Sequence, residues 1–214
     1  MICAVIFDMD GVLIDTEKHY NAAWCQAATE AGFPFTREHA LLLRSCEAKE
    51  GEKLMQGIFG PSFDYYAIRE RRRELVRERL AQYGLEKKPG VEETLRFLRA
   101  KGIKTAVISN KPDSTTVQVV REMMGELTPD IVRGGREGVP LKPDPTAVLE
   151  IIEQLGVEKA DCLYVGDTAT DMETGKNAGL FTVGVLWGFR DREEIEKAGA
   201  KAIVSKPAEI LKLI

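Results

Sequence analysis

Five short aliphatic or β-branched runs carry almost no polar alternation: 3–7 (CAVIF), 104–108 (KTAVI), 162–165 (CLYV), 181–186 (FTVGVL) and 202–204 (AIV). A strand with one wet face alternates apolar and polar residues, so unbroken runs predict strands buried on both faces, as in a parallel sheet covered by helices. The segments between them have helical spacing. Val91, Leu95 and Leu98 form one stripe, followed by Gly102. Ala147, Val148, Ile151, Ile152 and Leu155 form another, closed by Gly156, with Asp144 expected as N-cap and Pro145 at the first helical position. Strands alternating with helices predict an α/β fold with a doubly wound, Rossmann-like parallel sheet.

From Thr16 to Tyr83 the alternation stops, and only helical patterns are found. Tyr20, Trp24, Ala27 and Ala31 mark one helix, ended by Gly32 and Pro34; further helices are expected near 47–58 and over about 64–82. The last carries Arg69, Arg71, Arg72, Arg73, Arg77 and Arg79, interleaved with Glu70, Glu74 and Glu78. Charges of mixed sign at i,i+3, such as Glu70–Arg73 and Glu74–Arg77, read as a solvated helix face, not as a nucleic-acid surface. The expected organisation is a core of residues 1–14 and 88–214 with an all-helical domain, 15–87, inserted after the first strand.

Composition narrows the class further. With 214 residues, 44% apolar and 30% charged, the chain can bury a core without disulfides, and its net charge of −4 sets up no field for nucleic acid or anionic membranes. Residues 2–7 are too few for a signal peptide or membrane span. Cys3, Cys25, Cys46 and Cys162 form no close pair and read as reduced thiols of a cytoplasmic protein.

Chemistry concentrates where the apolar runs end. Asp8-Met9-Asp10-Gly11-Val12 follows the first run, and in an open α/β sheet ligands bind at carboxyl ends of strands. Gly166-Asp167-Thr168-Ala169-Thr170-Asp171 follows the run 162–165 and adds two more carboxylates. Acids converging from two strand ends suit a hard cation such as Mg²⁺. Taken singly, each motif is equally a polar turn, and Asp171 equally a favourable charge at a helix N-terminus. Ser109-Asn110 ends the run 104–108 and offers a hydroxyl and backbone N–H groups to a phosphoryl oxygen. Lys142 stands in Lys142-Pro143-Asp144-Pro145, where prolines fix the backbone ahead of a helix.

DMDGV, the ISN strand end, KPDP and GDTATD, in this order and over almost the whole chain, resemble the haloacid dehalogenase superfamily of phosphohydrolases. The helical insert looks like the small cap that many members carry there. The resemblance implies that Asp8 is a nucleophile toward phosphorus and Asp10 the general acid and then base, with Ser109, Asn110 and Lys142 on the phosphoryl group. It also implies Mg²⁺ on Asp8, the backbone carbonyl of Asp10 and Asp167, with Asp171 either on the metal or orienting Lys142. From Thr128 onward, KPDPTAVLEIIEQLGV and YVGDTATDMETGKNAGL look like phosphoglycolate phosphatases. The front part, with LLLRSCEAKEGEKLM, looks like caps of the β-phosphoglucomutase-like subgroup, which makes Arg44 a candidate substrate contact. The implied activity is hydrolysis of small phosphate monoesters, phosphoglycolate or sugar phosphates, through an aspartyl phosphate. The alternative is a phosphosugar mutase using the same aspartates. A phospho-accepting receiver-type signalling domain fits poorly, since it needs neither a cap nor the acid Asp10.

The expected partner is a small phosphorylated metabolite, the expected state a monomer or weak dimer. His19 and His39 read as ordinary helix or surface residues, and Trp187, Phe189 and Arg190 as a loop near the site's rim that packs against the site without a catalytic role.

Overall fold

The computed structural model describes residues 1–43 and 48–214. Along the chain, strand β1 (Ala4–Asp8) is followed by helices α1 (Glu17–Glu30), α2 (Arg37–Leu42), α3 (Ala48–Phe59) and α4 (Tyr65–Tyr83). Then come α5 (Val91–Ala100), β2 (Lys104–Pro112), α6 (Asp113–Met124), β3 (Ile131–Gly135), α7 (Thr146–Leu155) and β4 (Cys162–Gly166). The chain closes with α8 (Ala169–Ala178), β5 (Phe181–Val185), α9 (Arg192–Lys197), β6 (Ala202–Val204) and a 3₁₀ turn over Pro207–Leu213. Contacts divide it into two compact units, Met1–Asp15 with Glu86–Ile214, and Thr16–Leu85.

The first unit is an α/β layer built on one sheet. Among the described residues it has six strands in the order β3-β2-β1-β4-β5-β6, every neighbouring pair parallel. Because β1 and β4 are neighbours although far apart in sequence, the strand order reverses between them. That switch point is where a doubly wound sheet opens a crevice for ligands. The unbroken apolar runs follow from burial on both faces. Ala4 and Ile6 of β1 join Ala106, Ile108, Cys162 and Tyr164 in a core cluster with Val148, Ile151 and Leu155 of α7, while Phe7, on the other face, shares a small apolar pocket with Val91 and Leu95 of α5.

β3 is absent from the expected strands. Its residues, IVRGG, alternate between buried and half-exposed at the sheet edge, so no continuous apolar run announces it. The start of α7 also differs from expectation. It begins at Thr146, with Pro145 at the cap position, and Asp144 accepts the Thr146 N–H at 2.9 Å. Asp144 thus makes a short side-chain turn one residue outside the helix.

The second unit is all helical. Trp24, Phe35, Phe63, Tyr65, Ile68 and Leu75 form its core, and Phe33, Phe35, Phe59 and Phe63 pack ring against ring at 4.8–6.2 Å. α4 starts at Asp64, whose carboxylate accepts the Ala67 N–H at 3.0 Å. Its charges neutralise one another at the surface. Arg73 pairs with Glu70, while Glu74 pairs with Arg71 and not with the expected Arg77. α2 was not expected; it is a short helix whose Thr36 N–H donates to His39 Nδ1 at 3.0 Å. His19 lies within α1, as a helix residue, and is only 2% exposed. Arg44 and Cys46 lie outside the described residues.

Where the chain leaves and rejoins the sheet unit, the two crossings are stitched together. Asp15 N–H donates to Glu86 O at 2.8 Å, Lys88 N–H to Leu13 O at 2.9 Å, and Lys88 Nζ meets Asp15 Oδ1 at 3.1 Å.

The α7–sheet interface carries much of the first unit's stability. Ile151 is fully buried there, so Ile151→Ala is expected to cost about 3 kcal/mol. Urea denaturation should show this as a lowered midpoint with an unchanged slope; a loss below about 1 kcal/mol would mean that the interface relaxes to fill the hole.

Candidate functional site

β1 ends in Asp8, and the chain then folds back tightly. Leu13 and Ile14 N–H both donate to Met9 O at 3.0 Å, and Gly11 N–H donates to Ile14 O at 2.9 Å. Gly11 stands at φ +82°, which only glycine adopts without strain, and a Cβ there would lie 2.3 Å from Asp167 Oδ2. The loop therefore brings β1's carboxyl end against that of β4, where Asp167 begins the turn into α8.

Lys142 holds the site together. Its Nζ lies 2.6 Å from Asp8 Oδ1 and 2.7 Å from Asp171 Oδ1, and its side chain is 6% exposed. Burial alone would depress this ammonium, but Asp171 and Asp8 hold it well above the usual lysine range. Asp171 is fixed in turn: its Oδ2 accepts Thr168 Oγ1 at 2.6 Å and the N–H groups of Thr168 and Asp167 at 3.2 and 3.3 Å, while Tyr164 Oη donates to Oδ1 at 3.3 Å. Asn110 does not offer its amide to the crevice. The side chain accepts Lys142 N–H at 2.8 Å and donates to Lys142 O at 3.1 Å, so it grips the backbone of the lysine. Ser109, one residue past the register partner of Asp8, is buried and accepts Lys111 N–H at 3.2 Å.

Sequence reasoning missed Lys111. Its Nζ meets Asp10 Oδ1 at 2.7 Å, giving the second carboxylate of Asp-Met-Asp its own lysine. The β2–β3 ladder shifts register between Ile108 and Pro112, so Ser109, Asn110 and Lys111 fall in an irregular stretch. Irregularities of this kind re-aim side chains next to active sites. The only sequence signal was Lys111's place directly after the Ser-Asn pair.

Charge in the crevice is unbalanced. Asp8, Asp167 and Asp171 bring carboxylate oxygens within 4.8 Å of one another. Burial pushes the Asp8 carboxyl up to about 7 even though Lys142 pulls it down. Burial, with Asp8 and Asp171 adding to it, pushes Asp167 well above the usual carboxylate range. Asp167 Oδ2 accepts Phe189 N–H at 2.6 Å, but its buried Oδ1 has no hydrogen-bond partner among the described residues. An unsatisfied buried carboxylate oxygen beside two further carboxylates is a donor set that could hold a hard divalent cation. Both oxygens of Asp171 already have protein donors, whereas Asp167 Oδ1 has none among the described residues.

An open parallel sheet carrying a lysine-bridged carboxylate pair and a cation-type acidic nest at its switch point defines an α/β enzyme site. The sequence pattern of the haloacid dehalogenase-like hydrolases matches residues 2–179, and the chain belongs to that family. A phosphorylated carbohydrates phosphatase of Thermotoga maritima is 31% identical over 212 residues, covering 99% of this chain and 97% of its own. A phosphoglycolate phosphatase of Aquifex aeolicus is 29% identical, covering 98% and 95%. Among solved structures, a T. maritima protein described as a candidate β-phosphoglucomutase superposes with a TM-score of 0.77 at 31% identity, covering 100% and 98%.

If the acidic nest is short of a cation, neutralising one carboxylate should stabilise the metal-free protein. Asp167→Asn is expected to raise the melting temperature in chelator by about 2–4 °C, the shift of about 1 kcal/mol in a chain this long. Added MgCl₂ should raise the wild-type melting temperature and leave the variant's unchanged. A variant that melts lower in chelator, or still responds to Mg²⁺, contradicts this account of the site.

Proposed function

We propose that this hydrolase is a Mg²⁺-dependent phosphatase of small phosphate monoesters that works through a phosphorylated Asp8. The observation that carries the reading is the bridge Asp8–Lys142–Asp171 beside the unsatisfied Oδ1 of Asp167. Phosphoryl transfer asks mainly for in-line positioning and for neutralisation of charge spread over the equatorial oxygens. Lys142 supplies a fixed positive charge against Asp8, so that a carboxylate can approach a phosphate of like sign. Asp8, the backbone carbonyl of Asp10 and Asp167 would hold Mg²⁺, with Asp171 behind them. When bound, the ion supplies further neutralisation and orients the phosphate.

In the first step an Asp8 oxygen forms a bond to phosphorus while the bond to the ester oxygen breaks, and Asp10 gives that oxygen its proton. In the second, Asp10 takes a proton from water as the water oxygen attacks phosphorus, and the aspartyl bond breaks to release inorganic phosphate and the Asp8 carboxylate. Splitting hydrolysis in this way replaces one hard displacement by two easier ones. Ser109 and Lys142 would hold the phosphoryl oxygens, and Asn110 would serve by fixing the Lys142 backbone. Lys111, paired with Asp10 at 2.7 Å, would hold that carboxyl in place.

The names of the relatives support phosphorylated carbohydrates and phosphoglycolate as the substrate range. The helical unit 16–85 is proposed as the cap that selects among them, and Arg44 as one of its substrate contacts. The free thiols of Cys3, Cys25 and Cys162 fit a cytoplasmic enzyme. A phosphosugar mutase is the second reading, favoured by the T. maritima structure described as a candidate β-phosphoglucomutase. It would use the same aspartates but return the phosphoryl group to a sugar.

A phosphate-release assay over small phosphate esters tests the proposal. Activity should require Mg²⁺, Asp8→Asn should lose at least about 10³-fold, and Asp10→Asn about 10²–10⁴-fold. Activity in Asp8→Asn, or indifference to chelator, would sink the mechanism. Isomerisation of β-glucose 1-phosphate without net phosphate release would decide for the mutase.

A further inference from the structure

Just after β5, Trp187-Gly188-Phe189 reaches back over the acidic nest. Phe189 N–H donates to Asp167 Oδ2 at 2.6 Å. Gly188 passes so close that a Cβ would lie 2.2 Å from Asp167 Oδ2 and 2.3 Å from its Cβ. On the other side Gly11 approaches equally, its hypothetical Cβ 2.3 Å from the same oxygen and 2.7 Å from the Phe189 ring. Asp167 therefore sits in a slot between two glycines with the Phe189 ring beside it. Trp187 ties the walls together, since its Nε1–H donates to Val12 O at 2.9 Å and its ring borders the apolar pocket under Val12 and Leu13. Leu186 N–H anchors the segment's root to Val204 O at 3.0 Å.

The slot treats the two oxygens of one carboxylate differently. Oδ2 is capped by a backbone N–H and closed in by glycines, whereas Oδ1 is left without a protein donor among the described residues. A carboxylate held in this way can give a cation one oxygen and not two. Mg²⁺ requires a compact octahedral shell with few carboxylates, while Ca²⁺ takes six to eight oxygens and accepts a bidentate carboxylate.

We propose that Trp187, Gly188 and Phe189 form a positioning loop that fixes Asp167 as a one-oxygen ligand and thereby favours Mg²⁺ over Ca²⁺. The inference rests on the metal-dependent reading of the site given above. The loop's observed hydrogen bonds go to Asp167 and Val12. It acts on the cation through Asp167, by backbone geometry that the side chains of Trp187 and Phe189 keep in place.

The test is the melting temperature of the full chain titrated with MgCl₂ and, separately, with CaCl₂. Trp187→Phe removes the indole donor but keeps an apolar ring; Gly188→Ala forces a methyl group into the slot. Losing one hydrogen bond should weaken Mg²⁺ binding about fivefold in Trp187→Phe. Gly188→Ala, which displaces the ligand itself, should weaken it about 30-fold or more, on the order of losing a group that orients a metal ligand. In both, Ca²⁺ binding should weaken less, so the Mg²⁺ to Ca²⁺ affinity ratio falls. A melting temperature lowered in chelator with an unchanged ratio would mean that the loop is only structural, and the proposal would be overturned. Should Gly188→Ala fail to fold, Trp187→Phe decides alone. A wild type that responds to neither ion removes the metal reading and this inference with it; a wild type that responds to Mg²⁺, alongside variants that respond identically, removes this inference alone.

Discussion

Burying carboxylates beside one another is among the costliest things a fold can do, because each charge loses its water and gains a like neighbour. Asp8, Asp167 and Asp171 are all less than a tenth exposed, and they converge around one ammonium. Lys142 answers part of this charge, at 2.6 and 2.7 Å from two of the three acids. Burial, with the unanswered charge adding to it, keeps Asp8 and Asp167 reluctant to ionise. The surrounding architecture is arranged to tolerate the imbalance: a capping hydroxyl and two backbone N–H groups on Asp171, one backbone N–H on Asp167, and a side-chain clamp from Asn110 on the lysine's own backbone.

The sheet supplies what the cluster needs. Parallel strands all deliver their carboxyl ends to one edge, so carboxylates that follow β1 and β4 in sequence arrive side by side in space. Register does the rest, with Phe7 opposite Val165 and Asp8 opposite Ile108. A one-residue slip of β1 would turn Asp8 toward the opposite face, and the rigid double-sided core on Ile6 and Phe7 is what prevents it. Core packing and chemistry are therefore linked through the same five residues.

What could be read in advance divides along physical lines. β1, β2, β4, β5 and β6 announced themselves because burial on both faces demands unbroken apolar runs. β3 did not, because an edge strand containing Arg133 and two glycines needs no such run. The convergence of Asp8, Lys142, Asp167 and Asp171 was legible because the motifs follow neighbouring strand ends and their order resembled one family, although each alone reads as well as a polar turn. The grip of the Asn110 side chain on the Lys142 backbone was not legible, since nothing local says that it spans 32 residues. Lys111's ion pair with Asp10 depends on an irregular register that no spacing rule encodes. The short α2 and the burial of His19 likewise follow from how the helical unit packs on itself, which propensity alone does not decide.

The loop 187–189 was legible as a rim loop packed against the site, but its hold on Asp167 was not. It reaches Asp167 through a main-chain N–H, which every residue but proline carries, and through the absence of a Cβ at 188. Sequence motifs record side chains that do chemistry, whereas backbone groups that hold those side chains leave only a glycine as a trace. In this site the charges come from side chains and the placement largely from the backbone. A description restricted to the acidic residues and the lysine would explain why a cation is wanted and not why Asp167 presents one oxygen to it.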